Sequence, residues 1–328
     1  MAVFKAAITS YVKRQNMSNK KPLKILIEAS GCLTSSYMIE AIKNAGHIVC
    51  GSDIDSFNTA FIECDDFIIM PKVSDPHLCD KTLHLCRAHH IDIVIPTLDE
   101  SLLGWSEQKA HFAQYGILVI ISAPHTIQTF LDKWQTYQFF CQIGIPTPKS
   151  SLYKHYGVLK PRFGRGGSGI ELAQIDRFFN GGGDNDEDSL SFITQEHIIG
   201  EEYTIDCLFN AQGEAIYIIP RRRIGVQGGK STKGEVCDVK CLESHIQYIA
   251  SHIHFIGAIN IQAFITKENK PIFIEVNPRL GGGSALSFAA SENWVEAMIE
   301  MFVYHRTITP KPIRYGLKMA RSYKEIYF

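Results

Sequence analysis

The chain lacks any run of about 18 consecutive apolar residues, so no segment of it predicts a helix that spans a bilayer. It also lacks net charge. With 33 Lys and Arg against 34 Asp and Glu, there is no basic field of the kind that draws nucleic acid or an anionic membrane surface. No Cys-x-x-Cys pair occurs among the nine cysteines, and the nearest approaches, Cys79/Cys86 and Cys237/Cys241, match no zinc spacing. The expectation is therefore of reduced, mostly buried thiols in a cytoplasmic protein. The histidines form no HExxH array, and the adjacent His89 and His90 cannot share one face of a helix or strand. Residues 1–20 have no sustained apolar stretch of a signal peptide. "MSNKKPLKILIEAS" from Met17 looks like the more natural start, so residues 1–21 are expected to be an extension. No internal repeat is visible.

What is present begins with alternating apolar runs and helical segments. "LKILIEAS" (23–30) reads as a buried strand, "GCLTSSYMIEAIKNAG" as a helix stopped by Gly46, and "HIVCGSDID" as the next strand, together a βαβ unit. "DDFIIM", "IDIVIP" and "ILVIIS" (117–122) add apolar strands, with a helix expected from about Asp75 to His90. Residues 22–122 thus predict a doubly wound parallel α/β domain. Its first turn, "ASGCLTSS", lacks the second and third glycines of GxGxxG. Asp53 and Asp55 at the end of the second strand therefore do not make a convincing dinucleotide site.

Beyond residue 122 the pattern changes to mixed α+β. "DKWQTYQFFCQIGIPTPKS" is helical up to Gly144, where "IPTP" breaks it. A small lobe is expected over about 148–200, and a larger one over about 201–310. "NGGGDNDEDS" (180–189) reads as a surface turn, without the ligand spacing of a calcium loop. Two antiparallel strands joined at Gly213, a helix over 242–255, a hairpin turning at "KENK" and a last helix over 291–304 complete the chain.

Four stretches carry candidate chemistry. In "LKPRFGRGGSG", Lys160 ends a strand and Gly164, Gly166, Gly167 and Gly169 follow; such glycines let backbone N–H groups converge on phosphate oxygens, and the lysine adds a point charge. No GK[ST] follows this stretch, so it is not a Walker loop, and a flexible turn would look similar. In "PIFIEVNPRLGGGS", Glu275, Asn277 and Arg279 are each two residues apart and share a strand face. With Gln262 on the partner strand they offer hard oxygen donors of the kind magnesium takes, against the alternative of a solvated hairpin face. Arg279 could hold a carboxylate or acyl-phosphate in its fork. In "QEHIIGEEYTID", an acid precedes and another follows an apolar linker, which suits an adenine edge and ribose hydroxyls or merely a surface hairpin. In "PRRRIGVQGGKSTKG", Arg221, Arg222, Arg223, Lys230 and Lys233 flank a glycine-rich turn, which is either a solvated charge run or an anion site.

Taken in order, these pieces resemble the ATP-grasp superfamily, most closely one synthetase unit of the carbamoyl-phosphate synthetase large subunit, over about residues 22–310. The resemblance implies an ATP-grasp domain (123–328) behind a pre-ATP-grasp α/β domain. It implies that Lys133 and Lys160 contact phosphates, and that Gly164, Arg165, Gly166, Gly167 and Gly169 form a closing loop. Glu196, His197, Ile198 and Ile199 would hold adenine and Glu202 the ribose. Gln262, Glu275 and Asn277 would hold Mg2+ (or Mn2+), and Arg279, Lys160 and Arg223 would act at the transferred group. Gln262 stands where many members carry an acid and the carbamoyl-phosphate synthetase branch carries glutamine. A single unit without a visible glutaminase departs from that branch. The implied activity is an ATP-dependent carboxylate-amine (or ammonia) ligase working through an acyl-phosphate; the alternative is a non-catalytic ATP-binding sensor or scaffold. Small-molecule carboxylate and amine substrates are the expected partners, with a homodimer left open. "PTLDES" (96–101) and "ASGCLTSS" (29–36) are the expected contributors to the acceptor pocket.

Overall fold

The structure, a computed structural model, describes residues 21–32, 35–164, 167, 169–172, 191–227, 230–322 and 325–327, with the side chains of residues 226, 227 and 230 also left aside. The expected extension (apart from Lys21), the turn at 180–189, Arg165 and Gly166 lie outside the described residues. No helix among the described residues is long and apolar enough to cross a membrane.

The first sheet is parallel, in the order β3-β2-β1-β4-β5, from β1 (Lys24–Ile27), β2 (Ile48–Asp53), β3 (Asp66–Ile69), β4 (Ile93–Ile95) and β5 (Leu118–Val119). Strand alternation sends Ile25 and Ile27 to one face and Leu26 to the other, and each face has its own core. On the first face lies α1 (Ser36–Asn44), whose Met38, Ile39, Ala41 and Ile42 form one buried stripe. On the second lie α3 (Leu78–Ala88) and α4 (Asp99–Gln114), which bury Leu83, Cys86, Leu102, Trp105 and Phe112; the short α2 (Ala60–Glu63) follows β2. Gly46 (φ +76) closes α1 in the left-handed conformation that an L side chain resists. The helix expected from residue 75 begins only at Leu78, because Asp75 spends its carboxylate on the backbone N–H of His77 (2.8 Å) in a turn before it.

The third sheet is antiparallel with the order β14-β13-β10-β11-β12-β15: β10 (Glu201–Phe209), β11 (Ala215–Gln227), β12 (Lys230–Val236), β13 (Gly257–Ile265), β14 (Pro271–Asn277) and β15 (Lys318–Ala320). One face packs Ile205, Cys207, Phe209, Ile259, Ile261, Ala263 and Phe273 against α5 (Pro124–Leu131), α6 (Lys133–Gln142) and α7 (Lys240–His252). The other face is polar where it looks into the cleft described below. Between the first and third sheets, β6 (Ser150–Ser151), β7 (Val158–Pro161), β8 (Glu171–Leu172) and β9 (Phe192–Gln195) make a small antiparallel sheet, ordered β6-β9-β7-β8.

The C-terminal helices tie the first and third sheets together. The last helix, expected over 291–304, is α9 (Trp294–Phe302), delayed because the Asn293 side chain caps it by accepting from Val295 N (3.0 Å). Trp294 is fully buried, stacks on Tyr217 of β11 (5.8 Å between centroids), and shares one core with Ile25, Ile27 and Met38 of the first sheet and its helix. A short α8 (Ala285–Ala290), hidden in the sequence behind three glycines, supplies Ser284 at its start and Ser287 to a buried ion pair. That pair joins Arg221 of β11 to Asp206 of β10 through two hydrogen bonds of 2.6 and 3.0 Å, both residues being at most 2% exposed. Gly283 has to be glycine here, since a Cβ would lie 2.4 Å from the Arg221 guanidinium.

Candidate active-site cleft

The cleft is built first by sheet register. Gln262 of β13 lies directly opposite Glu275 of β14 on one side and Thr204 of β10 on the other, and Thr204 in turn faces Arg221. The next polar row runs Asp206, Asn260, Asn277. A bulge between Gln262 and Ala263 leaves Ile274 as an extra residue on β14. It shifts the strand's parity, so that Phe273 and Val276, three residues apart, both enter the core while Glu275 and Asn277 both line the cleft. Alternation alone placed Glu275 and Asn277 together, but it gave no sign of the bulge that makes this compatible with Phe273.

Opposite this floor stands the small sheet. Lys160 of β7 is 3% exposed and lines the cleft, and its side chain has no hydrogen-bond or ion-pair partner among the described residues. Burial lowers its pKa from 10.5 to about 8; the carboxylate of Glu275 works against that shift and the nearby Lys133 adds to it. Lys133, at the first turn of α6, donates from Nζ to the Gly164 carbonyl (2.9 Å). The preceding residue, Asp132, caps that helix and grips Arg162 with bonds of 2.8 and 2.6 Å, which fastens the helix start to the strand entering the glycine-rich stretch. Gly164 and Gly167 line the cleft; Gly169, with φ +73, is packed against Pro161 and does not.

Residues Glu196, His197, Ile198 and Ile199 run between β9 and β10 along the cleft wall. Gly200 lets this linker pass against β13, where a Cβ would sit 2.5 Å from the Ile265 carbonyl. Around it, Phe163, Ile170, Leu172 and Ile199 are exposed, between 48% and 72%, and all four line the cleft. Grouped exposed apolar side chains of this kind mark a surface made to be covered.

The basic run on β11 does not form one patch, because strand alternation divides it. Arg221 is consumed by Asp206, Arg222 pairs with Glu201 (3.1 Å) and Glu235 (2.7 Å), and Arg223 pairs with Glu202 and donates to Ser231 Oγ (3.0 Å). Arg221 and Arg223 line the cleft, whereas Lys233 does not; the Lys230 side chain lies outside the described residues.

Arg279 gives the least expected geometry. Its fork is filled by Asp99, at the start of α4, with bonds of 2.6 and 2.5 Å; Nη1 donates to the Leu280 carbonyl (3.1 Å). The carboxylate it holds is thus the protein's own, in the stretch "PTLDES". Burial acts most strongly and would lower the Arg279 pKa, but the charge and hydrogen bonds of Asp99, with Glu275 and Tyr37, together turn the net shift upward. The pairing of Asp99 with Arg279 went unnoticed in the sequence, which marked only the stretch "PTLDES", because nothing links residues 180 apart until the sheets are assembled. The same clasp brings Glu28, Ser35, Leu98, Glu100 and Ser101 of the first domain into the end wall of a single cleft of about 1820 Å3.

Glu275, Gln262 and Asn277 present one carboxylate and two amide oxygens at adjoining register positions, a donor set of hard oxygens that fits magnesium and not a soft metal. The Asn277 amide N–H donates to Glu275 Oε1 (3.2 Å) and to Asn260 Oδ1 (3.2 Å), while its oxygen accepts from Arg279 Nη2 (3.4 Å).

Residues 189–325 match the family described as "ATP-grasp in the biosynthetic pathway with Ter operon", and residues 25–120 match "PylC-like, N-terminal domain". A carbamoyl-phosphate synthase of Methanobrevibacter smithii is 24% identical over 65% of this chain and 64% of its own length. The chain spans only 52% and 64% of the lengths of the two curated relatives it matches. Among solved structures, the biotin carboxylase domain of Hydrogenobacter thermophilus 2-oxoglutarate carboxylase, in complex with magnesium ADP and bicarbonate, superposes with a TM-score of 0.72 at 15% identity, covering 92% of this chain and 74% of that one. An L-amino acid ligase from Bacillus licheniformis superposes at 0.64 with 16% identity, over 86% of this chain and 74% of that one. At these identities the likeness to the solved structures is one of fold. The chain has the ATP-grasp fold, with an ATP-grasp family match over residues 189–325 and a weak likeness to a carbamoyl-phosphate synthase.

Proposed function

We propose that the protein is an ATP-dependent ligase that joins a carboxylate to an amine or ammonia through an acyl-phosphate. The observation that carries this reading is the facing of Lys160, a buried cation without a partner among the described residues, toward the Gln262–Glu275 row across one cleft. ATP would lie with its base against the linker Glu196–Ile199 and the exposed apolar group, and its phosphates between Lys133, Lys160 and the glycine-rich stretch. Glu202 would meet the ribose once Arg223 released it. Glu275, Gln262 and Asn277 would hold Mg2+, which supplies neutralisation of the triphosphate charge.

In the first half-reaction an oxygen of the substrate carboxylate attacks the γ-phosphorus, and the bond to the β,γ-bridging oxygen breaks to release ADP. In the second, the amine nitrogen attacks the acyl carbon and the carbon–oxygen bond to phosphate breaks, the amine losing its proton. The protein's part is positioning and charge, and no side-chain nucleophile is required. Arg223 and Lys160 would neutralise the transferred group; Arg279, held by Asp99, would fix the metal-bearing strand against the first domain.

Incubation of the full chain with ATP, Mg2+ and a pool of amino acids and other carboxylates and amines should yield ADP, phosphate and an amide detectable by mass spectrometry. Tight ATP binding without a product from any acceptor would overturn the ligase reading and favour a sensor.

The Lys160 ammonium gives a pH dependence. The free protein carries this charge below pH of about 8 and loses it above, and phosphate oxygens bind the charged form. ATP affinity should therefore fall as pH rises from 7.5 to 9.5, by up to about tenfold per unit, and should be flat and weak over that range in Lys160→Met, as read by isothermal calorimetry. The same lowering means that the folded chain holds fewer protons than the unfolded one between about 8 and 10.5. This residue's burial penalty is thus felt in full below pH 8 and relieved as pH rises through that window.

A further inference from the structure

Glu28 follows the last residue of β1, at the carboxyl end of the parallel sheet, where α/β sheets receive ligands. Its carboxylate accepts from Trp105 Nε1 (3.0 Å) and from Leu98 N (3.3 Å), and its backbone carbonyl accepts from Thr97 Oγ1 (2.5 Å). No cation pairs with it among the described residues, yet it forms part of the cleft wall. A partly buried carboxylate given only neutral donors gains from a positive group that meets it from the cleft. Burial pushes its pKa above the ordinary glutamate value, against the pull of those hydrogen bonds.

The cleft's charges are unevenly placed. Lys133, Lys160, Arg221, Arg223 and Arg279 line the side formed by the small and third sheets, together with Glu196, Glu202 and Glu275. The first-domain side carries Glu28, Asp53 and Glu100, with Lys72 as its cation among the described lining residues, exposed and not paired with Glu28. Asp53 is spent on the backbone N–H groups of Gly31 (3.0 Å) and Ile54 (2.7 Å). The first-domain lining also includes the apolar Met70, Val73, Leu78 and Trp105, the last of them bonded to Glu28. The connection to the metal-bearing strand is short: Leu98 N binds Glu28, and the next residue, Asp99, holds Arg279.

We infer that this end of the cleft is the amine subsite, with Glu28 receiving the ammonium group of a primary amine whose apolar body lies against Met70, Val73, Leu78 and Trp105. A carboxylate substrate would be repelled here and belongs at the cationic side. The inference rests on the ligase reading for its place in the reaction, but the binding it describes is measurable without ATP.

The test uses the full chain without nucleotide and a panel of primary amines, n-pentylamine to phenethylamine, each beside the alcohol of the same skeleton, with binding read by ligand-observed NMR. At least one amine should bind at least tenfold more tightly than its alcohol. Glu28→Gln, which keeps an acceptor for Trp105, should abolish that preference and leave MgATP affinity unchanged. Equal binding of amine and alcohol by the wild-type chain, or an amine preference that survives Glu28→Gln, would overturn the assignment. The first comparison needs no variant, so it decides the matter even if Glu28→Gln does not fold. Loss of ATP turnover with the amine preference intact would instead count against the ligase reading alone.

Discussion

Replacing Glu275 by glutamine should remove magnesium-dependent nucleotide binding and with it any turnover. The substitution keeps the size of the side chain and its amide oxygen can still accept from Asn277, which donates to Oε1 at 3.2 Å, so the strand should fold as before. What is lost is the one carboxylate in a row whose other donors, Gln262 and Asn277, are neutral amides. With no formal charge left to hold a divalent cation, a fall of about 100-fold or more in turnover is expected, the scale seen when a single charge-stabilising group is removed from a transition state. Lys160 should respond as well, since the Glu275 charge opposes the lowering of its pKa. Calorimetric titration of ATP with and without Mg2+ gives the measurement: wild-type affinity should depend on the metal and that of Glu275→Gln should not. A variant that retains metal-dependent affinity would move the metal away from this row.

Replacing Asp206 by alanine should be the most destabilising single change in the third sheet. Asp206 is wholly buried and accepts from Arg221 Nε (2.6 Å) and Nη2 (3.0 Å), Ser284 Oγ (3.0 Å) and Ser287 Oγ (2.6 Å). Its removal leaves a guanidinium that is 2% exposed without a counter-charge, a situation that typically costs about 3–5 kcal/mol. For a chain of this size each kcal/mol lowers the melting temperature by about 2–4 °C, so a drop of roughly 6–20 °C is expected by scanning calorimetry. The double change Asp206→Ala with Arg221→Met should recover much of it, because the stranded charge is then gone as well. If the single variant melts within a degree or two of the wild type, the pair does not carry the weight assigned to it.

The strands and their faces were legible because their signals are local. Alternation around β1, β2 and β4, the Gly46 and Gly144 helix stops and the hairpin at "KENK" all appear within a few residues. The stretches holding Lys160, Glu275 and Asn277 were also legible, since a glycine cluster after a strand and two polar residues in an apolar alternation each break a short pattern. What the sequence hid was pairwise and distant. The Arg279–Asp99 clasp, the splitting of the basic run among Asp206, Glu201, Glu235 and Glu202, and the unpaired state of Glu28 depend on partners brought together only by sheet assembly. The β14 bulge hid for another reason: an extra residue in a strand leaves no mark on composition or period.

The core that Trp294 shares with the first sheet bears on how the molecule can breathe. The three apolar cores draw their buried members from the first and third sheets and the helices between, and none of those members comes from the small sheet over 150–195. The first and third sheets are thus welded into one block that should unfold as a unit, while the small sheet hangs on hydrogen bonds and the Asp132–Arg162 grip. Lys160 rides on the hanging part and Glu275 on the block. The gap between them is therefore a hinge coordinate, and an anion that bridges the two would work as a latch.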